Sequence, residues 1–152
     1  MNIQSSIRSP RRKGVAILEG SIVVSILLFL FFVVIDLGLA LFRTSVLSEA
    51  AIQLGRQAAV RGSGMSSDVT PWGPIAFTGN AAMVAPIPLT ISSKLQTMNL
   101  SDVSISMTWT DGTNDEGDHV NVVLTYPYQP ILSLFSSSTV LLQGQAMVSI
   151  VN

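Results

Sequence analysis

From Val15 to Phe42 apolar residues dominate without any periodicity, and Glu19 and Asp36 are the only charged residues in the stretch. Within it, Ser21–Phe42 holds 22 residues. As a helix this measures about 33 Å, enough to cross a hydrocarbon core of about 30 Å. At Arg43 the pattern turns amphipathic. Leu47, Ala50, Ala51, Leu54 and Ala58 recur at helical spacing, with Arg43, Glu49, Gln53, Arg56, Gln57 and Arg61 at the other positions. Residues 15 to about 61 therefore read as one long helix, closed by Gly62-Ser63-Gly64.

The pattern then breaks. Pro71, Gly73, Pro74, Gly79 and Pro86 mark residues 62–86 as an irregular connection. Residues 88–98 predict a short helix with Leu89, Ile91, Leu95 and Met98 on its apolar side. Val103–Trp109 alternates with period two and His119–Tyr126 nearly so, which predicts a hairpin around Asp111–Asp118. Pro127 and Pro130 are expected to break the second strand. Ile131–Phe135 reads as a helical turn, and Leu141–Val151 as a third strand with a bulge at Gly144. The expected class is α+β: a long N-terminal transmembrane helix followed by a small antiparallel sheet domain with one short helix. The expected pieces are a basic leader (1–14), the transmembrane and amphipathic helix (15–61), and an outer domain (62–152).

Composition sharpens this picture. The chain has 152 residues, of which only 11% are charged, against about 25% in an ordinary soluble domain. Its mean hydropathy is +0.53. The net charge of −1 and the lack of a basic patch in the folded part argue against nucleic-acid binding. There is no cysteine, which excludes a disulfide scaffold and a His/Cys zinc site. Arg8, Arg11, Arg12 and Lys13 lie in the leader with no acid among them. Such flanks are retained on the cytoplasmic side, so the part after the helix is expected to face outward. A cleaved secretory signal is the weaker reading, because its apolar region spans only about 7–15 residues.

Little else resembles a reactive site. Asp111-Gly-Thr-Asn-Asp-Glu-Gly-Asp118 lacks the spacing of a calcium loop and reads as an acidic hairpin turn. His119 is the only histidine. No nucleophile elbow or phosphate-binding loop occurs. Neither catalysis nor a cofactor or metal is expected. Trp109 is in phase with Val103, Ile105 and Met107 and is expected in the core. Asp36 lies about 32 Å beyond Val15 on a helix, near the outer interface, and is expected to reach water there in preference to making a buried contact with a partner. Ala51, Gly55 and Ala59 stand four apart on one ridge, which suits close helix packing. That ridge can face either the chain's own outer domain or a partner subunit.

The most informative segment is Arg11-Arg-Lys-Gly14-Val15-Ala-Ile-Leu-Glu19, a basic leader ending in glycine with a carboxylate five residues on. A lone carboxylate in an apolar span costs several kcal/mol (order of magnitude) unless it is paired, protonated or interfacial. The junction resembles the processing site of type IV pilin-like proteins. The whole chain resembles the TadE-like family of tight-adherence (Flp) pilus systems. Ile35-Asp36-Leu37-Gly38, Ala51–Ala59, Val120–Tyr128 and Gln143–Ser149 extend the likeness. Gly20 and Ser25 depart from it, standing where aromatic and proline residues are frequent.

The resemblance implies a structural pseudopilin or minor pilin in the bacterial inner membrane, with its N-terminus cytoplasmic. It implies cleavage by a prepilin peptidase between Gly14 and Val15, and an outer domain that is periplasmic or extracellular or is incorporated into a pilus. Glu19 would then pair with the new α-amino group. Other pilin or pseudopilin subunits, the assembly platform and membrane lipid are the implied partners. Removing residues 1–14 leaves four basic and nine acidic residues, a net charge of −5. The alternative is an uncleaved, signal-anchored envelope protein whose outer domain binds a partner or ligand.

Overall fold

The computed structural model describes residues 11–64, 70–131 and 139–151, with side chains from Gly14 onward. Helix α1 (Arg11–Val60) is continuous over 50 residues. It starts inside the basic leader and stops where Gly62-Ser63-Gly64 supplies no helix former. Four strands follow: β1 (Phe77–Asn80), β2 (Ser104–Trp109), β3 (His119–Tyr128) and β4 (Val140–Ser149). A short helix α2 (Pro86–Ile91) separates β1 from β2. The sheet is wholly antiparallel in the order β1-β2-β3-β4. The chain is thus α+β, a long apolar helix followed by a small antiparallel sheet with one short helix.

The alternation read in the sequence is the alternation of burial. Ile105, Met107 and Trp109 of β2 and Val120, Val122, Leu124, Tyr126 and Tyr128 of β3 point inward. They meet Leu47, Ala50, Ala51, Leu54 and Ala58 from the second half of α1. That half is the other wall of the domain core. The first half is mostly exposed. From Gly14 onward α1 is long and apolar enough to cross a membrane, and no residue of its most apolar stretch is fully buried within the protein.

Four expectations need correction. β1 falls inside the region read as irregular. Phe77-Thr-Gly-Asn80 has no marked alternation and forms a strand by pairing with the free edge of β2, Phe77 opposite Met107 and Asn80 opposite Ser104. The short helix spans Pro86–Ile91 and not 88–98. Beyond it, Leu95 and Met98 reach the core through turns, with Lys94 and Met98 amides donating to the Ile91 and Leu95 carbonyls, while Leu89 is exposed.

β3 runs through Pro127 to Tyr128. Thr125 is its last residue paired with β2. At Pro127 the strand pairs, among the described strands, with β4 alone, and a proline is tolerated there. Gly144 is no bulge, because it pairs in register with Leu124. A Cβ at Gly144 would stand 2.4 Å from the Leu47 carbonyl carbon and 2.5 Å from the Ser48 nitrogen. The missing side chain lets the helix backbone lie directly on the strand. The helical turn expected at Ile131–Phe135 lies outside the described residues except for Ile131.

Candidate functional site

At the inner end of α1, Val15 and Glu19 are both exposed. They are four residues apart and so share one helix face. A Cβ added to Gly14 would meet nothing within 4 Å. No packing within the protein requires a glycine there, and glycine in a helix interior costs about 0.5–1 kcal/mol relative to alanine.

The small-residue ridge is occupied. Ala51 and Ala59 are buried. A Cβ at Gly55 would come within 2.7 Å of Val148 Cγ2 and 3.9 Å of the Ala146 Cβ. The Val151 amide donates to the Ala59 carbonyl at 3.1 Å. Of the two faces left open by the sequence, the chain's own β4 takes this one. Small residues at Ala51, Gly55 and Ala59 let the sheet approach the helix closely.

Asp36 departs from expectation. Its side chain is largely covered by the protein: the residue is 9% exposed. The Tyr128 hydroxyl donates to its carboxylate, and the Ile131 amide donates to the same Oδ1 at 3.2 Å. The Tyr128 hydroxyl also lies 3.3 Å from the Asp36 carbonyl oxygen. Burial first, and then the hydrogen bond to Asp36, push the Tyr128 phenol up to about 12. Two helical turns further on, Arg43 stacks on the rings of Tyr128 and Tyr126, its guanidinium 5.0 and 5.5 Å from their centroids.

Asp36, Arg43, Tyr126 and Tyr128 thus form one cluster where the bare half of α1 meets the packed half. Sequence reasoning singled out Asp36 but not Arg43. The signal was present, since a separation of seven places both on one helix face.

The acidic turn builds itself. Asp118 accepts from the Thr113 hydroxyl at 2.5 Å and the Asp115 amide at 2.9 Å. Asp115 accepts from Ser63 at 2.5 Å, and Asp111 from the His119 amide and ring Nδ1 at 2.6 and 3.1 Å. The backbone bond from His119, then the bond from its ring, hold the Asp111 carboxyl below its usual value. Among the described residues no group of three or more His, Asp or Glu side chains is placed to hold a metal.

A cleft of about 570 Å³ lies between the 70–77 segment and α2, lined by Arg61, Trp72, Phe77, Ile87 and Trp109 among others. Arg61 stacks on Trp72 with 4.6 Å from guanidinium to centroid. Gly73, with φ +89°, sits so close to the Trp109 indole that a Cβ would lie 2.2 Å from Cε2. Trp72 and Trp109 are both buried, so Trp109 is in the core as its phase predicts.

No protein-family model, no curated protein and no solved structure matches this chain.

Proposed function

We propose that this chain is a structural pseudopilin or minor pilin of a Tad/Flp-type pilus or a related secretion apparatus, matured by prepilin peptidase between Gly14 and Val15. The observation that carries this reading is the division of one unbroken helix. Its first half is largely bare and almost wholly apolar, and its second half is one wall of the core of a small outer sheet. Such a subunit can pass its bare half from lipid to neighbouring helices without refolding its head. The exposed Gly14-Val15 junction supports the reading, as does Glu19 on the face of Val15.

Cleavage would remove the leader charges that hold the helix at the inner interface. The ammonium created at Val15 would pair with Glu19 of the same or a neighbouring helix, each offsetting the other's burial. On this reading the protein sits in the bacterial inner membrane with its N-terminus inside, and meets the prepilin peptidase, other pilin-like subunits and the assembly platform.

Intact mass of the membrane-extracted protein from its native host tests this, beside a Gly14→Leu variant. The open space around Gly14 makes that variant compatible with the fold. A mature chain starting at Val15, lost in the variant, is the expected result. A full-length mass in both overturns the processing reading and leaves a permanent signal anchor.

A further inference from the structure

We infer that the β3–β4 end of the outer domain is a membrane-contact surface, seated in the headgroup and upper acyl layer of the same bilayer that α1 crosses. The inference rests on the membrane reading of α1 and is independent of pilus assembly.

Depth along α1 carries the argument. From Gly14 to Asp36 the helix rises about 33 Å, just past a hydrocarbon core of about 30 Å; to Phe42 it rises about 42 Å, close to the full bilayer with its headgroups. Leu37, Leu41 and Phe42 are still exposed and apolar at that level. The domain nevertheless begins to pack at Asp36, through Tyr128 and Ile131. Helix surface suited to lipid and the first turn of domain packing therefore overlap by one to two turns. In that overlap the sheet end cannot stand clear of the headgroups.

The residues at that end suit the position. β4 runs in the same direction as α1, with Gly144 against Leu47, Val148 against Gly55 and Val151 against Ala59. Its start, Val140 and Leu141, pairs with Tyr128 and Pro127 and so lies level with the Asp36–Arg43 cluster. Ile131, Val140 and Leu141 are exposed by 62, 48 and 67%. No charged residue occurs from Val120 to Asn152. The acidic turn Asp111–Asp118 lies at the opposite end of the sheet, where His119 pairs with Ser149.

The β3–β4 pair is therefore uncharged from the Asp36–Arg43 cluster up to the acidic turn, and exposed Asp102, at the near end of the sheet, lies before β2 and off that pair. Asp36 fits the same frame. A carboxylate at that depth loses water, and the Tyr128 hydroxyl and Ile131 amide replace it. Arg43 and two tyrosines beside it are residue types that settle at the interface.

The absence of cysteine makes the test direct. Single variants Ile131→Cys, Leu141→Cys, Glu116→Cys and Phe31→Cys of the full chain are labelled with an environment-sensitive fluorophore. They are reconstituted in phosphatidylcholine/phosphatidylglycerol vesicles carrying nitroxide at the headgroup, the upper acyl chain or the chain end. Labels at 131 and 141 should shift to the blue and lose most of their emission to headgroup and upper-chain nitroxides. The label at 116 should do neither, and that at 31 should be quenched from the chain end.

If 131 and 141 behave like 116, the domain stands clear of the bilayer and the inference falls. If they shift to the blue without lipid quenching, protein covers that end, a second copy or another partner, and the inference again falls. Loss of quenching at 31 overturns the membrane reading itself, which separates the two failures.

Discussion

The two halves of α1 are one unbroken helix with opposite surroundings. Before Asp36 nearly all the described side chains are exposed, with Phe29 half-buried and Ile35 38% exposed. After Arg43 one face is buried completely and made of Leu47, Ala50, Ala51, Leu54 and Ala58, while Glu49, Gln53 and Arg56 take other positions. The first half is the more apolar in composition. The distribution around the axis separates the halves further: apolar on all sides suits lipid, apolar on one face suits protein.

The same substitution made in both halves should break or sharpen that contrast. The largest effect is expected from Gly144→Val, which drives a side chain into the backbone of Leu47 and Ser48. Backbone has no rotamer to yield, so the loss should be about 3 kcal/mol or more, beyond ordinary overpacking. Gly20→Val in the bare half meets nothing within 4 Å and should change domain stability by less than about 0.5 kcal/mol. Chemical unfolding in micelles, followed by tryptophan fluorescence, reads both.

Next comes Leu54→Ala, fully buried, at about 2–5 kcal/mol. Leu27→Ala, in the exposed half, should leave the melting of the sheet unmoved in the same assay. Equal losses from the two leucines would end the distinction.

Tyr128→Phe is smaller, about 1–3 kcal/mol, because it removes the hydroxyl that faces the buried Asp36 carboxylate. It also has a pH signature. The phenol is raised in the folded state from 10 to about 12. Folding therefore favours the protonated form, and this contribution is complete below pH 10 and lost as pH rises toward about 12. Stability of the wild type should fall across that window more steeply than that of Tyr128→Phe. Phenolate absorbance should show one tyrosine titrating late.

The smallest effect belongs to Asp111. Its carboxyl is lowered in the folded state. Its share of stability is present above the ordinary carboxylate value of 3.8 and lost as pH falls through its lowered value. A carboxylate carbon titration by NMR should place it below the other exposed acids, and His119→Ala should move it back only in part, because the backbone amide of residue 119 remains.

What the sequence disclosed follows the same division. Periodicity named the span, the amphipathic half and the β2–β3 hairpin, because each of those elements sees one environment per face. It missed β1, which exists only because β2 has an edge to pair with. It identified the ridge of Ala51, Gly55 and Ala59 but left its partner open, since small residues fit a strand of the same chain as well as another helix.

Asp36 shows the limit most clearly. A pattern along the chain records where a carboxylate falls. Its cover comes from Tyr128, 92 positions away, and no local spacing encodes that. Gly144 carried a signal that was read as a bulge, and the contact that explains it lies on another element.

The parallel course of β4 and α1 has a mechanical consequence. A pull on the inner end of α1 runs along the helix axis and also along the strand. It loads the interface from Leu47 to Ala59 in shear, with all its contacts bearing force together, and not in peeling, where they would give way one by one. The seated Gly144 and Gly55 keep the two backbones too close for one to slide past the other without lifting. A tug on the inner end of this helix should therefore move the sheet as cargo on a stiff rod.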